Sequence, residues 1–486
     1  MVFRFGLKDL KIVLNDVGEI LFWSSFAFIA PIFFVLWYKE GSYALFSFLF
    51  IGLMVFFIGG LLKKIFSTEA DTELKHAFLT VSLVWLLFSF FAALPFVLVQ
   101  GSSLIDGVFE TMSAATTTCL SVIDAELDSM PKSLIFWRNF LGWIGGLGII
   151  VLALMGIVSA YSTSSKLFSA EGRDDTIEPN LKHTVKELWK IYIGIRALGV
   201  ILLLLAGMNF FDALNYSIST VSTAGFNTSY DRLALQPNFL VEIILTFLLV
   251  LGGTNFSLHY FFVKKKSLKP YLQSGEFKAM VIFSILGGLL VTPKIIQFAP
   301  TMFDSLRISF FHAFSAQLGG HMAVQANFFA LLDDFSKLVF VALMFIGGSS
   351  GSTSGGIKVS RFLLLLKQVY WKIKEIAFPK NTFFAKKFEG VEIDPKRLSE
   401  VNYFVVIYIG LLLLGTLVLT VQGFSLSDSL LEVSSAQGNA GLSVGIAEKG
   451  MPLASEVTLI FLMWAGRLDI IPLFAFIGLI LSIRRK

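Results

Sequence analysis

The sequence predicts an all-α polytopic membrane protein with four pseudo-symmetric units around one pore. Each unit has a span, a short pore helix and a second span, and two extra transmembrane helices precede the first unit. Three observations support this prediction. Of 486 residues, 55% are hydrophobic and only 15% are charged, which leaves too little polar surface for a soluble protein. Basic residues gather in alternate connections, and one short pattern recurs in the other connections.

Ten apolar runs are long enough to cross about 30 Å of hydrocarbon. One of them is interrupted by a Gly/Ser segment and is counted as a single run. They lie near residues 18–38, 43–62, 77–100, 135–160, 187–208, 238–263, 277–299, 336–370, 401–422 and 455–483. Lys and Arg concentrate at 63–64, 264–266 and 484–486, among other places. The positive-inside rule places these connections and both termini in the cytosol. The net charge of +5 then reflects orientation, and no nucleic-acid partner is expected.

The outer connections carry one pattern in four copies. Three copies read DGVFETMSAATTTC, DALNYSISTVSTAG and DSLLEVSSAQGNAG, and each has an Asp seven residues before an aligned Ser. These pairs are Asp106 and Ser113, Asp212 and Ser219, and Asp428 and Ser435. The fourth copy, FFHAFSAQLGGH, aligns on Ser315, and its Asp304 lies four residues further upstream. Because Asp is a common N-cap, each copy predicts a short re-entrant helix followed by an extended segment.

The segments after the four helices are the candidate ion-binding site. Non-helical backbone at membrane depth is tolerated only where protein or water covers it, and backbone carbonyls can replace the hydration shell of a cation. The candidate residues are Thr116, Thr117, Thr118, Cys119, Ser222, Thr223, Ala224, Gly225, Leu318, Gly319, Gly320, His321, Gly438, Asn439, Ala440 and Gly441. Four ordinary loops with a chance similarity are the alternative, which the three equal Asp-to-Ser spacings disfavour. The predicted units are 1–70 (extension), 71–165, 166–270, 271–380 and 381–486.

Six segments, in this order, resemble the Trk/Ktr/HKT superfamily of cation channels and transporters. They are TVSLVWLLFSFFAALPF, FWRNFLGWIGGLGIIVLAL, LGGTNFSLHYFF, GGSSGSTSGGIKVSRFLLLLK, SSAQGNAGLSVG and MWAGRLDIIPLFAF. The match runs nearly end to end, and the two spans before residue 62 favour the TrkH type over the shorter KtrB type. The resemblance implies potassium uptake rather than enzyme activity, one pore per chain, a homodimer, and the bacterial inner membrane with its lipids. It also implies K⁺ as the permeant ion, with Na⁺ as an alternative, and no covalently bound cofactor. A nucleotide would act only through a cytosolic TrkA-like regulatory subunit.

The resemblance assigns the Gly/Ser segment 347–356 to an intramembrane gating loop that obstructs the pore below the filter. Its residues are Gly347, Gly348, Ser349, Ser350, Gly351, Ser352, Thr353, Ser354, Gly355 and Gly356. Glycines give such a loop many accessible conformations. A phosphate-binding loop is the alternative, but its pattern requires Gly-Lys-Ser/Thr, and here Ile357 separates Gly356 from Lys358.

Arg467 lies inside the last apolar run, where an Arg costs about 2.5–3.5 kcal/mol on insertion scales. We therefore expect it to face a pore or a carboxylate. The resemblance implies a position below the filter, where its charge is a barrier to cations. Asp469 is only two residues away, which disfavours a local pair. The alternative is an Arg at the helix end that reaches water.

The candidate filter departs from the superfamily pattern, in which each copy ends in glycine. Cys119 replaces the first glycine, and Leu318 stands where threonine is expected. The third copy ends at His321 without a gap, or at Gly320 with a shift of one residue. Because positive φ costs a residue with a Cβ roughly 1–2 kcal/mol, we expect a weaker preference for K⁺. The alternative is that neighbouring residues compensate.

Three further hypotheses remain open at this point. His321 at the outer mouth would oppose cation entry when protonated near pH 6–7, unless it only caps the loop. A Na⁺- or H⁺-coupled symporter of the same fold would need intramembrane carboxylates, for which Glu110 and Glu432 are the symmetric candidates. A membrane enzyme is disfavoured, because no His–carboxylate or metal-ligand constellation lies near the Ser- and Gly-rich segments.

Overall fold

The computed structural model describes residues 6–123, 126–148, 181–229, 238–320, 328–378 and 385–468, together with Pro472, Phe476 and Gly478. Among these residues the structure is helical apart from loops and one antiparallel strand pair, β1 (Lys387–Phe388) and β2 (Val391–Glu392). The expected all-α multi-pass membrane fold is confirmed.

Six described helical segments are long and apolar enough to cross a membrane. They are Leu7–Trp37, Ser42–Ile65, Leu74–Gln100, His183–Leu205, Gly275–Ile295 and Pro395–Val421. A seventh candidate is the pair Phe239–Gly253 and Phe256–Lys265, which is bent by 99°. The other three apolar runs appear as shorter helices, because the Gly/Ser segment interrupts one of them and the described residues end within the other two.

The helices follow the predicted order. The N-terminal extension contains α1 (Leu7–Ser24), a 3₁₀ turn (Ser25–Ile29), α2 (Ala30–Trp37) and α3 (Ser42–Ile65). Unit one contains α4 (Leu74–Pro95), a π turn (Phe96–Gln100), α5 (Leu104–Ala115) and α6 (Lys132–Leu147). Unit two contains α7 (Leu181–Leu205), α8 (Phe210–Val221), α9 (Phe239–Gly253) and α10 (Phe256–Lys265). Helix α11 (Lys269–Gln273) lies across the predicted boundary between units two and three. Unit three contains α12 (Gly275–Ile295), α13 (Met302–Leu318), a 3₁₀ turn (Phe328–Leu331), α14 (Asp334–Ile346) and α15 (Val359–Ala377). Unit four contains α16 (Pro395–Val421), α17 (Leu426–Gln437) and α18 (Leu453–Arg467).

Four short helices, α5, α8, α13 and α17, begin in the same way and are called the capped helices. Their N-caps are Ser103, Asn209, Thr301 and Ser425, whose side chains accept the backbone N–H of Asp106, Asp212, Asp304 and Asp428. The prediction that the aspartates are N-caps is therefore wrong. Each is the third helical residue, where a carboxylate favours the positive end of the helix dipole. Asp304 keeps this place although it lies further from its Ser, because α13 has 17 residues and the others have 12.

A glycine of the following span contacts the end of three capped helices. A Cβ at Gly145, Gly252 or Gly466 would overlap the carbonyl oxygen of the last residue of α5, α8 or α17. A larger residue would push the span away from the helix end, so these glycines set how closely the elements pack.

Polar links join successive units in a closed order. They are Arg138 Nη2 to Asn227 O (2.6 Å), Arg307 Nη1 to Glu242 Oε1 (2.8 Å), Lys337 Nζ to Asp428 Oδ1 (2.6 Å), and Lys449 Nζ to Glu126 Oε1. The first link joins units one and two, and the last joins units four and one. Among the described residues, each of these contacts between predicted units thus contains a charged group.

Candidate functional site

After each capped helix the chain makes the same sharp turn, which defines four turn segments at 116–119, 222–225, 318–320 and 438–441. In each, the third residue donates its N–H to the carbonyl of the aligned Ser. The pairs are Thr118 to Ser113 (2.8 Å), Ala224 to Ser219 (2.8 Å), Gly320 to Ser315 (3.2 Å) and Ala440 to Ser435 (2.9 Å). The second residue has positive φ in all four: Thr117 (58°), Thr223 (56°), Gly319 (82°) and Asn439 (49°). Four copies therefore share one backbone geometry.

This register favours the alignment of the third copy without a gap. Gly320 makes the same hydrogen bond as Thr118, so His321 takes the position of Cys119. His321 itself lies outside the described residues, and its expected place at the outer mouth stays a prediction.

Cys119 adopts the backbone of the glycines that it replaces. Its φ is 72°, against 74° for Gly225 and 85° for Gly441. This conformation costs a residue with a Cβ roughly 1–2 kcal/mol. The first segment therefore differs from the second and fourth in strain rather than in shape, and it has two strained residues, Thr117 and Cys119, within three positions.

The turn segments lie against one another. A Cβ on Gly319 would lie 2.7 Å from the carbonyl oxygen of Asn439 and 3.3 Å from that of Thr223. Asn439 Nδ2 donates to Thr118 Oγ1 at 2.8 Å, which joins the fourth and first segments. The structure thus brings together backbone carbonyls and threonine hydroxyls, the oxygen ligands that suit K⁺. Among the described residues, no group of three or more His, Cys, Asp or Glu side chains could hold a metal ion.

Two fully buried glutamates hold the chain that leaves the first and fourth segments. Glu110 accepts hydrogen bonds from Arg138 Nη1 (2.8 Å), Ser121 Oγ (3.0 Å) and Val122 N (3.3 Å). Glu432 accepts from Ser443 Oγ (2.7 Å), Val444 N (3.0 Å) and Ala447 N (3.0 Å). These contacts suit a role in local structure and give no support to proton or sodium coupling.

The loop 347–356 is inserted between the ends of other elements. Ser349 N donates to Gly253 O (3.0 Å), and Thr353 N donates to Gly252 O (3.2 Å). At its base, Ser350 N donates to Glu276 Oε1 at 2.6 Å. A Cβ at Gly355 would overlap the carbonyl of Gly438, so the loop lies directly against the fourth turn segment.

Arg467, the last residue of α18, contacts both the loop and unit one. Nη1 donates to Thr353 O at 2.9 Å and lies 3.5 Å from Thr117 Oγ1. Nη2 donates to Gly146 O at 3.0 Å and also to Gly145 O. The guanidinium is therefore held by carbonyls inside the protein, which argues against an Arg that reaches for water. It also lines a cavity together with Asn439 and the loop. Asp469 lies outside the described residues.

Comparisons with known proteins match nearly the whole chain. A family model for TrkH, described as a cation transport protein, matches residues 46–292 and 295–481. This chain belongs to the TrkH family. It is 30% identical to the potassium uptake protein TrkG of Escherichia coli over 96% of this chain and 97% of that protein. It is also 30% identical to an uncharacterized cation transporter of Methanocaldococcus jannaschii, over 96% and 95% of the two chains.

A solved structure agrees with the family assignment. The crystal structure of the potassium transporter TrkH from Vibrio parahaemolyticus has a TM-score of 0.82 and 27% identity. The match covers 96% of this chain and 97% of that one. The homologues are transporters rather than enzymes, so this TrkH-family chain is a multi-pass transport protein.

The sequence reasoning missed one residue of this TrkH-family site. Arg138 is fully buried, binds Glu110 and stacks over Phe226 with 4.4 Å between the guanidinium carbon and the ring centre. The available signal was an Arg in an apolar run and a Glu in a nearby amphipathic helix, two charges that need each other at membrane depth.

Proposed function

We propose that this protein takes up potassium through one pore that the four turn segments line. The observation that carries the proposal is the backbone turn that the four segments share, together with the close approach of Gly319 to the carbonyl oxygens of Asn439 and Thr223. The relatives named as potassium uptake proteins support K⁺ as the ion. Carbonyl and threonine oxygens replace the hydration shell, and the negative ends of the capped helices favour a cation there.

The loop 347–356 is the proposed gate, and Arg467 is the proposed barrier below the filter. In the described conformation both are hydrogen-bonded to backbone of neighbouring units. Opening requires the loop to leave the carbonyls of Gly252 and Gly253 and frees Arg467 from Thr353. Each bond contributes only about 1 kcal/mol net, so a regulatory partner can supply the difference.

The proposed assembly follows the family resemblance. It is a homodimer in the bacterial inner membrane with both termini in the cytosol, bound by a TrkA-like nucleotide-sensing subunit. The basic connections 163–187, 264–278 and 367–397 of the sequence suit an acidic or nucleotide-bearing partner of this kind. Copurification with and without a TrkA-like subunit, followed by measurement of the mass of the complex, tests both parts.

A weakly selective K⁺/Na⁺ channel is the second candidate, and the strain at Cys119 favours it. The test is a reversal potential in proteoliposomes with K⁺ on one side and Na⁺ on the other. A value near the K⁺ equilibrium potential supports K⁺ uptake, and a value near zero supports the weakly selective channel. A reversal potential that moves with an imposed proton gradient would instead indicate symport. Liposomes without protein are the control, and the absence of any cation flux would refute the proposal.

A further inference from the structure

A chain of side-chain hydrogen bonds crosses from the fourth turn segment to the first. Asn439 Nδ2 donates to Thr118 Oγ1 (2.8 Å), which lies 2.7 Å from Thr116 Oγ1. Thr116 Oγ1 donates to Met112 O at 2.7 Å, so the Thr118 hydroxyl donates to Thr116. Asn439 Nδ2 also donates to Met463 O at 3.0 Å, which orients the amide. Thr116, Thr118 and Asn439 are fully buried.

Only the first turn segment has a hydroxyl at this position. The residues that align with Thr118 are Ala224, Gly320 and Ala440, and none of them has a side-chain oxygen that could accept a hydrogen bond. The first segment is also the one in which Cys119 replaces a glycine at φ 72°. The additional hydrogen bonds and the additional strain therefore occur in the same segment.

We infer that Thr118 and Asn439 are positioning residues that keep the first turn segment in the glycine-like backbone that Cys119 resists. The inference rests on the proposed ion-binding role of these segments and identifies what sets their selectivity. If the hydroxyl is lost, Cys119 relaxes toward negative φ, and its peptide carbonyl turns away from the ion. A glycine at position 119 has no such tendency, because positive φ is as accessible to it as negative φ.

The first test does not depend on ion flux. Cys119 is the single cysteine of the sequence and is buried, so labelling by a small methanethiosulfonate reports on this residue alone. Thr118→Val removes the hydroxyl at nearly constant shape, and Thr118→Ser keeps it. The Val variant should be labelled about fivefold faster than the wild type, the factor expected for one lost hydrogen bond. The Ser variant should match the wild type, and equal rates for the Val variant and the wild type would overturn the inference.

The second test measures the K⁺/Na⁺ permeability ratio in two backgrounds. Thr118→Val should lower the ratio about fivefold beside Cys119, and less than twofold when Cys119→Gly is also present. An equal loss in both backgrounds, or no loss in either, would overturn the inference. Should the Val variant fail to fold, Thr118→Ala replaces it in both tests. A wild-type protein without cation flux refutes the proposed function, and the labelling rates still decide this inference.

Discussion

Units one and four use the same buried carboxylate with different partners. Glu110 reaches a Ser and a backbone N–H eleven and twelve residues further along the chain, and Glu432 does the same. In unit one the charge is balanced by Arg138. In unit four the residue at the same distance before the contacting glycine is Leu459, and Ala447 N supplies a further hydrogen bond instead. A buried carboxylate can thus be stabilised by a cation or by backbone amides, and the two solutions should respond differently to mutation.

Glu110→Gln should give the largest effect. The neutral amide removes the negative charge that balances the buried Arg138, and breaking a buried ion pair in this way costs about 3–5 kcal/mol of unfolding free energy. Unfolding in detergent, followed by fluorescence of the buried tryptophans, measures this loss. Adding Arg138→Met to Glu110→Gln should restore part of the stability. A double variant less stable than the single one would contradict the explanation.

Glu432→Gln should cost less, about 1–3 kcal/mol. The amide keeps one acceptor oxygen for Ser443 and Ala447, but its NH₂ group faces the N–H donor of Val444. No buried cation is left behind. The same unfolding experiment compares it with Glu110→Gln. Equal losses of unfolding free energy in the two variants would show that Arg138 does not make unit one more sensitive than unit four.

The two serines sharpen the comparison further. Ser443→Ala removes a hydrogen bond to a carboxylate that has only hydrogen bonds to stabilise it here, and we expect a loss of about 1.5–3 kcal/mol. Ser121→Ala should cost about 0.5–1.5 kcal/mol, because Arg138 still binds Glu110. Melting temperatures of both variants in one detergent test this order, and the reverse order would contradict it.

The link between Lys449 and Glu126 should have the smallest effect. The hydrogen bond from Lys449 holds the pKa of the Glu126 carboxyl below its ordinary value of 4.5. A lowered pKa stabilises the folded state above 4.5, and this contribution disappears as the pH falls through the lower folded-state value. Lys449→Met should therefore lower the melting temperature slightly at pH 7, and the difference should shrink as the pH falls below 4.5 and the carboxyl takes up a proton. High salt should also remove the difference, since the pair is exposed. A difference that does not shrink as the pH falls would contradict the assignment.

Local patterns in the sequence predict most of the fold, but they predict the candidate site only in part. Apolar length and basic connections predict the spans, and the repeated Asp-to-Ser spacing predicts the four capped helices. The caps were misassigned because Ser103, Asn209, Thr301 and Ser425 precede the aspartates and compete for the same role. The strain at Cys119 could be predicted, since the aligned residues are glycines. The bond from Asn439 to Thr118 could not, because it joins residues 321 positions apart.

The acid and the base exchange sides between two successive contacts of the predicted units. Unit two presents an acid, Glu242, to a base on the next capped helix, whereas unit three presents a base, Lys337, to an acid, Asp428. If units three and four exchanged places, Leu431 would take the position of Arg307, and the buried Glu242 would lose its base. These ion pairs therefore favour one order of the units around the pore. A wrong order would thus leave a buried acid without its ion pair, at a cost of about 3–5 kcal/mol.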